Sequence, residues 1–165
     1  MKTKPTPHQA RTNRPRKRPD IPAGASRKDM EAREKLITDS LRKLRGSSRK
    51  GSVFNEESRK LVKITHRSIK ETARHASKRK ASTLSALDAE RQIRTSKKKR
   101  TSPPKNNSTQ QAMRIEKMHE YRGKREGKKV KVMIGEQHCG DRVLYSITTL
   151  PGPKGKKKKK KNRWT

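Results

Sequence analysis

The chain is short of almost everything from which a core or a catalytic site is built. Of its 165 residues one is Cys, one Trp, two Tyr and one Phe, and hydrophobic residues make up only 25%. An ordinary globular chain is roughly 45–50% apolar. So little apolar surface cannot offset the chain entropy lost on ordering, and most of the chain is predicted to have no core of its own. The single cysteine, Cys139, excludes an internal disulfide framework and fits a reducing compartment. Apolar runs are missing too: none approaches the roughly 18–20 residues of a membrane-spanning helix. No Trp- or Phe-rich face is available for lying on a membrane surface. The N-terminal residues lack the apolar stretch of a secretory signal.

Acids are also scarce, at 15 against 49 Lys and Arg, which leaves a formal net charge of +34. Self-repulsion on this scale calls for dense counter-charge. A nucleic-acid backbone supplies it, with released counterions as the main gain. Nucleic acid is therefore the expected partner, and a membrane is not.

No chemistry of another kind is visible. Cys139 follows His138 directly, and strand neighbours point to opposite faces, a poor arrangement for a nucleophile and its base. One Cys and five scattered His do not give the short recurring spacings of a metal site. The glycines fit no phosphate-binding loop. The expectation is a non-enzymatic protein with no catalytic residue, no metal and no cofactor.

Along the chain, residues 1–28 read as a disordered basic tail, with Arg14, Arg16, Lys17 and Arg18 on a backbone stiffened by Pro15 and Pro19. Ile37, Leu41 and Leu44 at helical spacing predict a helix over 29–45, stopped by Gly46. A longer helix is predicted over 53–80 from Phe54, Leu61, Val62, Thr65, Ile69, Ala73 and Ala76. Ser82, Thr83 and Leu84 read as a short extended piece. Ser85 with Asp88 then reads as a capping box opening a helix to Arg94. Residues 95–108 read as a basic linker carrying Lys97, Lys98, Lys99 and Arg100. Another helix, with Met113 and Met118, is expected over 109–121. Val130, Val132 and Ile134 alternate, as do Val143, Tyr145 and Ile147, which predicts a β-hairpin or an extended segment near 129–150. Residues 151–165 are a lysine-rich tail. In it Lys156, Lys157, Lys158, Lys159, Lys160 and Lys161 offer point charges for phosphates but no base-reading geometry, beside a terminal Trp164.

One phrase carries a family resemblance. Lys78, Arg79 and Lys80, followed by Thr83-Leu84-Ser85-Ala86-Leu87-Asp88 and the helix to Arg94, resemble the end of the central helix, the second loop and the third helix of a core histone. Upstream, Ile69-Lys70-Glu71-Thr72-Ala73-Arg74-His75-Ala76 is similar to the small-residue pattern late in that family's long helix. The resemblance implies a mainly α fold: a small three-helix histone-like unit over 29–94, with long basic tails and the C-terminal hairpin outside it. It further implies a histone-fold partner chain covering the apolar stripe. Phosphates would meet Arg45, Arg49, Lys50, Lys78, Arg79 and Lys80 and the helix N-termini at Asn55 and Ser85. DNA would be bound with little sequence preference in a nuclear chromosome or nucleolus, and phosphorylation at Ser52 or Ser102 would weaken binding.

Two rival classes fit the same composition. One is an rRNA-binding ribosomal or ribosome-assembly protein, whose basic extensions order on RNA. The other is a sperm or viral packaging protein with little fold of its own.

Overall fold

The computed structural model describes residues 20–152. Arg14, Arg16, Lys17 and Arg18, and the lysine run with Trp164, lie outside the described residues. The architecture overturns the mainly α expectation. A six-stranded mixed, curled sheet holds 32% of the described residues and helices hold 41%, in an α/β arrangement.

Helix α1, Arg27–Ser47, is the element closest to expectation. Ser26 caps it by accepting from the Asp29 N–H, and Ile37 and Leu41 are buried on one face. Gly46 does not end it. The stop comes at Ser48, whose N–H and hydroxyl both donate to the Leu44 carbonyl.

The long helix predicted over 53–80 does not exist. Its first part is a hairpin of β1 (Ser52–Asn55) and β2 (Lys60–Lys63), pairing Phe54 with Leu61. The apolar residues there have the period of a strand. Val53, Asn55 and Val62 point in, while Phe54 and Leu61 point out. Thr65, His66 and Arg67, an interruption in the helical pattern, are the start of α2 (His66–Ala76). Thr65 and Ser68 cap it reciprocally.

After α2 the chain runs through α3 (Lys80–Leu87) and α4 (Ala89–Thr95). The segment read as extended, Ser82 to Leu84, is helical. Ser85 is not a cap: its hydroxyl lies inside α3, 2.6 Å from that of Thr149. The stretch read as a linker forms the edge strand β3 (Lys97–Ser102), because its backbone pairs with β4 whatever its side chains carry. The helix expected over 109–121 shrinks to one turn, α5 (Ser108–Ala112), before β4 (Ile115–Arg125) begins. The C-terminal hairpin is present as β5 (Lys128–Gln137) and β6 (Arg142–Thr149). It lies in the middle of the sheet.

The strand order is β1-β2-β6-β5-β4-β3, antiparallel throughout except where β2 meets β6. Helices α1 to α4 pack on one face. Ile37, Leu41, Ile69, Ala73, Ala86 and Ile93 meet Tyr121, Val130, Val132, Ile134, Leu144 and Ile147 there in a single core. Of the apolar stripe read as needing a second chain, Val62, Ile69, Ala73 and Ala76 are covered within this chain's own core, while Phe54 and Leu61 stay exposed. The β1–β2 turn reaches toward β3, where Glu57 Oε2 accepts from the Lys98 N–H at 2.6 Å. The Asn55 amide donates to the Ile93 and Ser96 carbonyls at 2.7 and 3.0 Å. These bonds hold the sheet curled.

Candidate nucleic-acid interface

The sheet face away from the main core is polar and basic, and strand register sets its pattern. Arg100, Glu120, Met133 and Ser146 form one row across four strands, and Arg122, Lys131 and Thr148 a second. A small apolar cluster of Met113, Ile115, Met118 and Val143 lies at one end, with Met133 and Tyr145 against it.

Arg100, Met133 and Ser146 of the first row and Lys131 and Thr148 of the second line a cleft of about 580 Å³. One wall is the end of α2, with Arg74 and His75. The opposite wall is Arg100 and Ser102 of β3, continued by Lys105, Asn107 and Gln110. Helix α2 is fixed against β6, since the Thr72 hydroxyl donates to the Tyr145 carbonyl. The far wall is fixed by Gln110, whose Oε1 accepts from the Lys105 N–H at 2.6 Å, while Asn107 caps α5. Four cations line the cleft, Arg74, Arg100, Lys105 and Lys131, and none of the lining residues is acidic. Glu120 lies behind Arg100 at 3.3 Å, nearly buried, and also holds Arg122 at 3.1 Å. It orients the guanidinium without filling the cleft.

His75 and Tyr145 sit together with ring centres 6.2 Å apart. Burial, together with Arg74 and Lys78 beside it, pushes the His75 imidazole below its ordinary value, outweighing the pull of Glu71. His75 is therefore neutral at pH 7. Its Nε2 lies 3.3 Å from Glu71 Oε2, and both atoms are buried without a hydrogen-bond partner. The arrangement can hold an anion on its guanidinium and ammonium groups, offer a ring for stacking and take up a proton at His75.

A second histidine, buried where His75 is only half-buried, does structural work. His119 lies 2.8 Å from both Glu136 Oε2 and Thr101 Oγ1, which ties β3, β4 and β5 together. Burial lowers its tendency to protonate, and the bond to His119 holds the Glu136 carboxyl below its usual range. Beside it the Arg142 guanidinium donates to the Tyr121 hydroxyl at 2.5 Å.

The basic residues singled out from sequence do not form one patch. Arg100 is in the cleft. Lys97 and Lys99 line a separate hollow with Lys124 and Lys129. Arg45, Arg49 and Lys50 surround the end of α1. Lys78 and Lys80 are exposed at the α2–α3 junction, and Arg79 between them donates to the Thr149 carbonyl at 2.6 Å. Ser52 is buried, and Ser102 is half-buried in the cleft. Neither Asn55 nor Ser85 is a helix N-terminus. Arg74, His75, Lys105, Lys131 and Tyr145 went unrecognised because only the folded sheet brings them together. The one local sign was Lys131 between Val130 and Val132, alternation that puts it on the face opposite the core.

No protein-family model, no curated protein and no solved structure matches the chain. Among the described residues, no helix is long and apolar enough to cross a membrane, and no group of three or more His, Cys, Asp or Glu is placed to hold a metal ion.

Proposed function

We propose that the chain binds single-stranded nucleic acid, RNA in preference to DNA, along the basic face of its sheet. The observation that carries this is the cleft with four cations, no acid and Tyr145 beside His75. Phosphates suit the cations, and a base can stack on the Tyr145 ring. The hydroxyl and amide groups of Ser102, Asn107, Gln110, Ser146 and Thr148 suit base edges and ribose hydroxyls. A chain at +34 supplies the long-range attraction. Of the three classes that composition allowed, an RNA-bound protein of the ribosomal or assembly type agrees best with this cleft.

The test is affinity for RNA and DNA strands over a salt series. The logarithm of affinity falls with the logarithm of salt by about 0.7 per phosphate contact on single strands. Replacing Arg100 and Lys131 with Ala lowers both affinity and slope. A slope unchanged in that variant removes the cleft as the site, and a flat response in the parent chain removes the charge argument.

A second reading has the His75–Glu71 pair behind it. A neutral imidazole among cations can accept the proton of a ribose 2′-hydroxyl as that oxygen attacks the neighbouring phosphorus. The 5′-oxygen then leaves and takes a proton from water, with the cations stabilising the charge that develops. On this reading RNA held with the protein is shortened, the equivalent DNA is not, and His75→Ala abolishes the cut while keeping the affinity. RNA left intact by the parent chain leaves binding as the whole function.

A further inference from the structure

Among the described residues, the exposed large hydrophobic side chains lie away from the cleft. The chain has a single Phe, and in a protein this poor in apolar residues it stands outside the core, 47% exposed. Leu61 is directly across the β1–β2 hairpin from it and 48% exposed. The two border a hollow of about 910 Å³ lined by the basic residues Arg49, Lys50, Arg59, Lys60, Lys63 and Arg142. Asp141 is the one acid in that lining, and it is engaged with Lys63 at 2.6 Å.

Strand register connects this hollow to the cleft. Lys63 pairs with Val143 in parallel, which sets Lys63, Leu61 and Phe54 on the same sheet face as Val143. Tyr145 is two residues further along β6, so Leu61 lies four residues back from it, about 13 Å at a rise of about 3.3 Å per residue, and Phe54 lies one strand further out.

We infer that Phe54 is a second stacking platform, on which a single strand leaving the Tyr145 cleft lays another base while Arg59 and Lys60 hold its phosphates; the inference rests on the nucleic-acid function proposed above. Exposed apolar surface is usual enough in pieces. An exposed aromatic and its cross-strand Leu among six basic lining residues is instead the composition of a single-strand groove, where every base offers a ring and every link a negative charge. The cations disfavour a basic partner and a second copy of this chain, which would bring the same charge to the contact.

The experiment compares strands of about 4 and about 16 nucleotides, the ends of the range for such grooves, on the full chain. Phe54→Ala should weaken the long strand by roughly five- to 150-fold, the loss of one stacked base, and leave the short strand unchanged. Phe54→Trp should keep both affinities. Replacing Arg59 and Lys60 with Ala should lower the salt slope for the long strand alone, by about 1.4. Tyr145→Ala should weaken both lengths. Since Phe54 and Leu61 are exposed, the Ala variant leaves the core intact, and an unchanged thermal midpoint confirms it. Long-strand affinity unchanged in Phe54→Ala overturns the inference, whether the patch then proves to hold a protein or a second copy. If Tyr145→Ala still weakens both strands in that case, the cleft reading stands without it. Loss of both effects removes both proposals.

Discussion

The guanidinium of Arg33, in α1, donates through Nε to the carbonyl of Ser77 at 2.7 Å, across 44 residues of chain. Its Nη1 donates to the Pro22 and Gly24 carbonyls at 2.8 and 2.7 Å. Arg33 is 1% exposed, so it is a buried cation satisfied by backbone oxygens, pinning the segment before α1 to the end of α2. Arg33→Ala strands these acceptors and is expected to cost about 3 kcal/mol or more. Arg33→Lys keeps the charge but not the fork, and recovers only part. Denaturant midpoints of the two variants check this.

Acid should destabilise the protein in two stages. The folded His119 imidazole protonates below its ordinary value of 6.5, with burial as the cause. The unfolded state therefore binds more protons once the pH drops below about 6.5, and stability falls until the folded value is passed. His75, lowered for the same reason, adds to that stage. Glu136, held below its ordinary 4.5, adds a further loss at lower pH. Thermal midpoints across pH follow this course. His119→Gln, which retains polar atoms toward Glu136 and Thr101, should flatten the upper stage relative to the parent.

The β4–β5 turn carries removable strain. Arg125 pairs with Lys128, leaving Glu126 and Gly127 as the two turn residues, both with positive φ. Gly127 adopts φ 74° freely, whereas Glu126 at φ 49° does so at a cost. Asn-Gly is the preferred pair for such a turn. Glu126→Asn should stabilise by about 0.5–1 kcal/mol, even after losing the 3.5 Å contact with Arg125. Equilibrium unfolding reads it, and a decrease in stability would show the contact to matter more than the backbone.

In the cleft, Arg74→Glu should weaken RNA binding far more than Lys78→Glu one turn on. Arg74 lines the cleft and Lys78 does not. Equal effects would show that net charge alone governs binding.

Local physics made α1 and the C-terminal hairpin legible, because Ile37 and Leu41 keep a helical period and Val130, Val132 and Ile134 a strand period. The segment 52–63 misled because Phe54, Leu61 and Val62 satisfy a helix template once the inward Asn55 is discounted as polar. Asn55 is buried by bonds to carbonyls 38 and 41 residues away, which no local window contains. Lys97 to Arg100 misled for the converse reason: an edge strand is stabilised by backbone pairing with β4, and its charge suits an exposed edge. The cleft draws on residues from 74 to 148, so only the tertiary fold assembles it.

The single parallel pairing has a consequence for synthesis. Val62 and Lys63 have no partner on their inner side until Arg142 and Val143 exist. Ile69, Ala73 and Ala86 likewise lack their cover until β5 and β6 arrive. On the ribosome this part of the fold thus stays open, with its apolar residues uncovered, until β6 has emerged. A nascent chain stalled before residue 142 would be a chaperone client and easily cleaved by protease; one released past Thr149 would be neither.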